Sequence, residues 1–122
     1  MDKILRIGAP LAISVSDGLY SFVVPLNEPP AEHWIYSFKL AMPVTREFDP
    51  ECVVFDFQRG LLFESEESLV PGWIDHIDLW IASANTRVAA DEAAEEKRRA
   101  EAQTREDRDL LLSRINEKFK DL

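Results

Sequence analysis

Val70-Pro71-Gly72-Trp73 holds the last proline and the last glycine of this chain, and the fifty residues from Trp73 to Leu122 contain neither. Proline lacks a backbone N–H and glycine lacks the Cβ that restrains the backbone, so these two residues punctuate regular structure. Their one-sided distribution predicts a single change of architecture near Val70–Gly72. Residues 1–70 read as short extended runs separated by turns. Residues 71–122 read as helix, about 75 Å long if continuous at about 1.5 Å per residue. A head of that size spans only about 25 Å, so such a helix outruns the cover its own chain can give.

The expected class is therefore α+β. An N-terminal antiparallel sheet of about five strands, residues 1–70, is covered by a long C-terminal helix that extends beyond the head. Pro71 suits a helix start, where its missing N–H has no intrahelical partner in any case. Ile74, Ile77, Ile81, Ala84 and Val88 recur at 3-4-3-4 spacing with Trp73 and Trp80 beside them, which predicts that residues 71–89 pack on the sheet. Between Ala89 and Asp109 no large apolar residue occurs. Glu95–Arg99 and Glu101–Arg105 form favourable i,i+4 pairs there, as a solvated helix needs.

A second apolar stripe follows, formed by Leu111, Leu112, Ile115, Phe119 and Leu122. At about 100° per residue it is centred about 150° from the first. Two readings result. Either residues 90–122 continue the helix and its tip binds another chain, or Thr104-Arg105-Glu106-Asp107 caps a second helix that folds back. No Gly, Asn or Pro near residues 100–104 marks a turn, which favours continuity.

Within the head, Asp17-Gly18 between two alternating runs predicts a two-residue type I′ hairpin. Setting Ser16 opposite Leu19 pairs Val15 with Tyr20, Ile13 with Phe22 and Leu11 with Val24, all on one face. His33 to Met42 alternates, with Trp34, Tyr36, Phe38, Leu40 and Met42 on one side, and reads as a half-buried central strand. A further hairpin around Gln58-Arg59-Gly60 pairs Phe57 with Leu61 and Phe55 with Phe63. The expected core is Ile13, Phe22, Trp34, Tyr36, Phe38, Phe55, Phe57, Ile77 and Ile81.

Composition limits the function. Of twelve aromatic residues, eleven lie between Tyr20 and Trp80, so one modest core is built by the first eighty residues. The net charge is −9, which disfavours direct binding of nucleic-acid phosphates. Cys52, the single cysteine, opens a Val-Val-Phe run and reads as a buried thiol without a disulfide. The first residues lack the apolar core of a secretion signal, and no apolar run approaches the length of a membrane span. A cytoplasmic protein without membrane contact is expected.

No catalytic, cofactor-binding or metal-binding pattern emerges. His76 lies between Asp75 and Asp78, but no second His or Cys stands three or four residues away to share a zinc ion. Glu47, Asp49 and Glu51 form one acidic cluster and Glu64, Glu66 and Glu67 another. Both lack the tight Asp/Asn/Gly loop that calcium requires. A ligand between the sheet and Trp73/Trp80 would compete with the core for the same aromatics. The expected function is non-enzymatic: a protein-interaction or assembly module, self-associating or heteromeric. Its first contacts are Leu111, Leu112, Ile115, Phe119 and Leu122, most simply in a parallel dimer or trimer. The alternative is a small acidic inhibitor, of a kind viruses encode, that blocks a nucleic-acid-binding enzyme through its head carboxylates.

Overall fold

The computed structural model describes residues 3–121. Among them, four strands form one antiparallel sheet: β1 (Leu11–Ser16), β2 (Leu19–Val24), β3 (Val54–Asp56) and β4 (Gly60–Ser65), in spatial order β1-β2-β4-β3. Two helices accompany it, α1 (Glu32–Lys39) and α2 (Val70–Lys118), with single 3₁₀ turns at Pro50–Cys52 and Glu67–Leu69.

The expected fifth strand is the main correction. His33–Met42 lies largely in helix α1. The alternation that suggested a strand also carries a helical pattern, because Trp34, Phe38 and Ala41 stand at i, i+4 and i+7. These three are buried, whereas Tyr36, required inside by the strand reading, is 62% exposed. Pro29-Pro30 immediately upstream and Glu32 in the first turn favour a helix start there. Two helices, not one, thus cover the sheet.

The β1–β2 hairpin forms around Asp17 and Gly18, both with positive φ (51° and 81°), as a type I′ turn requires. Its register begins as expected, with Ser16 opposite Leu19 and Val15 opposite Tyr20, then slips. Ala12 pairs with Phe22 and Leu11 with Val23, leaving Ile13 as the extra residue of a bulge. All of β1 is exposed, so Ile13 is not a core residue.

The β3–β4 hairpin is shifted too, by two residues. Asp56 pairs with Gly60 and Phe55 with Leu61. The cause is local: the Asp56 carboxylate accepts hydrogen bonds from the backbone N–H groups of Gln58 (2.8 Å) and Arg59 (3.1 Å), closing an Asx turn. These bonds lift Phe57 to the tip, where it is 82% exposed rather than buried.

The core lies between the sheet and the two helices. Val24, Leu61 and Phe63 meet Trp34 and Phe38 of α1 and Trp73, Ile77, Trp80, Ile81, Ala84 and Val88 of α2. Phe22 and Phe55 are half-buried against it. Ring contacts bind the layers: Phe38 edge-on to Phe55 (5.1 Å) and Trp80 (5.8 Å), and Phe63 stacked on Trp73 (5.3 Å).

Polar groups lock the N-terminal segment onto this core. Asn85 accepts from the Ile4 N–H (3.1 Å) and the Trp34 indole N–H (2.9 Å), and donates to the Ile4 carbonyl (2.8 Å). Asn27 similarly accepts from Leu5 N–H (2.8 Å) and donates to the Lys3 carbonyl (3.0 Å). Arg6 forms a two-bond pair with Asp78 (2.8 and 2.9 Å). Ile4 is consequently buried in the core, a role no periodicity in its neighbourhood announces.

Candidate protein-binding surface

The chain divides into two compact units, with the boundary between Val88 and Ala89. Helix α2 is assigned without a break across that boundary and on to Lys118. Every buried residue of α2 precedes the boundary, Val88 being the last, and every described residue after it is exposed.

Side-chain pairs run along this solvated stretch. From Ala89 to Asp121 the sequence carries ten Asp/Glu and eight Lys/Arg, and near balance lets charges pair along the helix. Glu95 reaches both Arg98 (3.1 Å) and Arg99 (3.5 Å). Gln103 donates to Asp107 (3.2 Å), and Lys120 pairs with Glu117 (2.8 Å). Each such exposed pair contributes only a few tenths of a kcal/mol.

The expected contact residues sit in this stretch. Leu111 and Leu112 are 60% and 56% exposed, and Ile115 and Phe119 55% and 49%. Leu122 lies outside the described residues. Phe119 follows the last residue of α2, yet its N–H still bonds the Ile115 carbonyl (3.3 Å), so the helical phase of the stripe holds to that point. Leu110 is also exposed, about 100° or more from Leu111, Leu112, Ile115 and Phe119 around the helix, and does not belong to their face.

Of the second set of candidates, the head carboxylates, Glu66 and Glu67 border one open hollow together with Asp17. Glu47, Glu51, Glu64, Glu66 and Glu67 are exposed. Asp49 has a structural task, accepting from Glu51 N–H (2.9 Å) at the start of the 3₁₀ turn. Glu64 pairs with Ser21 on the outer face of the sheet.

That outer face is a feature the sequence reading missed. Pairing places Leu11, Val23, Leu62 and Val54 in one row across all four strands, on the side opposite the core pair Val24–Leu61. The slipped register of β1 is what puts Leu11 there. Beside this row lies a groove of about 570 Å3 lined in part by Leu19, Cys52, Val54, Leu62 and Glu64. Cys52 is exposed at its edge, in contrast to the buried thiol expected, because the 3₁₀ turn ends at that residue and directs the following Val53 inward.

His76 is held by its neighbours. Its Nδ1 faces the Gly72 carbonyl at 2.8 Å, its ring stacks on Phe48 (4.5 Å), and Asp78 is engaged by Arg6 instead. Hydrogen bonding to Asp78 holds the Arg6 guanidinium further into its charged form. Among the described residues, no group of three or more His, Cys, Asp or Glu is placed to hold a metal ion, and no helix is long and apolar enough to cross a membrane.

No protein-family model, curated protein or solved structure matches this chain.

Proposed function

We propose that this protein is a non-enzymatic interaction or assembly module that joins another polypeptide through the C-terminal part of α2. The observation that carries the reading is the apolar stripe Leu111, Leu112, Ile115 and Phe119, each about half exposed on a segment with no buried residue. Contiguous exposed apolar surface on a protein usually marks an interface, and a helix presenting such residues at i, i+4 and i+8 is suited to a groove or another helix.

Phe119→Glu tests this. Analytical ultracentrifugation together with capture of partners by the immobilised chain should show association with the parent and its loss in the variant, with the head's melting transition unchanged. A variant that associates as the parent does would overturn the reading.

A second reading rests on a different observation, the groove of Leu19, Cys52, Val54 and Leu62 with Glu64 at its side. An apolar strip beside a carboxylate, on a head whose residues 1–70 have five Lys/Arg against eleven Asp/Glu, suits a basic partner such as the binding groove of a nucleic-acid-processing protein. Binding of that kind weakens steeply with salt and is lost in Glu64→Lys; binding through the α2 stripe persists at high salt.

A further inference from the structure

Resting on the reading of α2 as an interaction segment, we propose that its partner is a second copy of the same segment, lying antiparallel to the first. The argument begins with spacing. Ala90, Ala94, Lys97 and Glu101, then Arg108, Leu112, Ile115 and Phe119, follow one another at intervals of 4-3-4-7-4-3-4. At about 100° per residue all eight fall within an arc of about 60°, so they form one seam on the helix. The series reads identically from either end. A two-fold axis perpendicular to the helix near residues 104 and 105 therefore superimposes the seam on itself.

Under that operation the opposed residues are complementary in size and in charge. Phe119 meets Ala90 of the other copy and Ile115 meets Ala94, large against small, as interdigitating helices require. Leu112 meets the aliphatic stem of Lys97, whose ammonium remains free to reach water. Arg108 meets Glu101, and the pair occurs twice by symmetry. All of these side chains are exposed within one chain, so none is committed to the head. Between them, Ala100 and Thr104 leave a shallow hollow bordered by Lys97, Glu101, Arg105 and Arg108, at the point where the two helices approach across the axis.

The orientation is decided by charge. A parallel in-register pair, the simplest association read from the stripe alone, sets Lys97 against Lys97, Glu101 against Glu101 and Arg108 against Arg108. Like charges opposed at an interface are unfavourable. It also stacks the large residues at one end and the alanines at the other. Antiparallel pairing removes the three like-charge contacts and fills each small position with a large partner. The seam begins two residues after Val88, the last α2 side chain buried in the head, so the overlap uses the whole length of the segment that has no other cover.

The test uses the full chain carrying Cys52→Ser, with sedimentation equilibrium as the readout and circular dichroism to verify helicity. Glu101→Arg and Arg108→Glu should each weaken the dimer by at least about tenfold, and the double variant Glu101→Arg/Arg108→Glu should return it to near the parental value. Ala94→Cys chains should not cross-link with one another, but should cross-link with Ile115→Cys chains when the two are mixed under oxidising conditions. Cross-linking of Ala94→Cys with itself, or single charge reversals without effect on a dimeric parent, would overturn the antiparallel seam while leaving the interaction reading standing. A parent that is monomeric at about 100 μM overturns self-pairing; partner capture by the immobilised chain, abolished by Phe119→Glu, then decides the interaction reading separately.

Discussion

Asn85 is where a single side chain binds three parts of the molecule: helix α2, which carries it, the Ile4 backbone on both its N–H and carbonyl, and the Trp34 indole. The amide is the side chain suited to this, since it offers an acceptor with two lone pairs and donors on the same group. Asn85→Ala would leave two donors and one acceptor unpaired in a part-buried region, and should cost about 2–4 kcal/mol in urea unfolding. Asn85→Asp keeps the acceptor but turns a negative oxygen toward the Ile4 carbonyl, and should be at least as damaging at neutral pH. Asp56 works by the opposite charge logic. Hydrogen bonds from the backbone N–H groups of Gln58 and Arg59 hold its carboxyl below its ordinary value of 3.8. A folded-state value lower than the unfolded one means that the turn's stabilisation is present above pH 4 or so and is lost as pH falls through the depressed value. Amide resonances of Gln58 and Arg59 should therefore titrate below the ordinary carboxylate range, and the titration should vanish in Asp56→Asn.

At the scale of elements, α1 separates two readings of the same ten residues. As a helix, it buries Trp34 and Phe38 and exposes Tyr36; as a strand, it would bury all three. Phe38→Ala should cost about 3–5 kcal/mol, whereas Tyr36→Ala should stay within about 1 kcal/mol, as exposed positions usually do. Thermal or denaturant unfolding of the two variants checks this, and equal losses would contradict the helix. The α2 assignment was legible because only one periodicity fits Trp73–Val88 and nothing interrupts it. The β1–β2 turn was legible because Asp17-Gly18 has few other uses. By contrast, Trp34, Tyr36, Phe38, Leu40 and Met42 fit period 2 while Trp34, Phe38 and Ala41 fit 3.6, and a run this short cannot separate them without knowing what covers the sheet. The slips at Ile13 and Phe57 were hidden for another reason. A bulge and an Asx turn each depend on a few backbone hydrogen bonds, and side-chain pattern favoured the unslipped registers. For the candidate surface, the stripe from Leu111 to Phe119 was visible as sequence, but the row Leu11–Val23–Leu62–Val54 was not. It exists only through the slipped register.

For the whole molecule, the distribution of burial separates what keeps the protein folded from what it presents. Among the described residues, every buried one belongs to the unit that ends at Val88, so cooperative stability resides there. An isolated solvated helix is marginal in water even with alanines and i,i+4 pairs, and burial against a partner is what would raise its population. Two observables should thus respond independently to changes in α2. Truncation after Ala90 should leave the head's melting midpoint within a few degrees of the parent, because no buried side chain is removed. Phe119→Glu in the full chain should leave the same midpoint while lowering the helical signal at 222 nm, and that signal should cease to depend on protein concentration. Circular dichroism across a hundredfold dilution, compared between the parent and Phe119→Glu, measures both effects. A head that melts far lower after truncation would mean that residues beyond Ala90 stabilise the core. A helical signal equally insensitive to dilution in both chains would mean that the segment holds its helix through local pairs alone, and that association adds nothing to it.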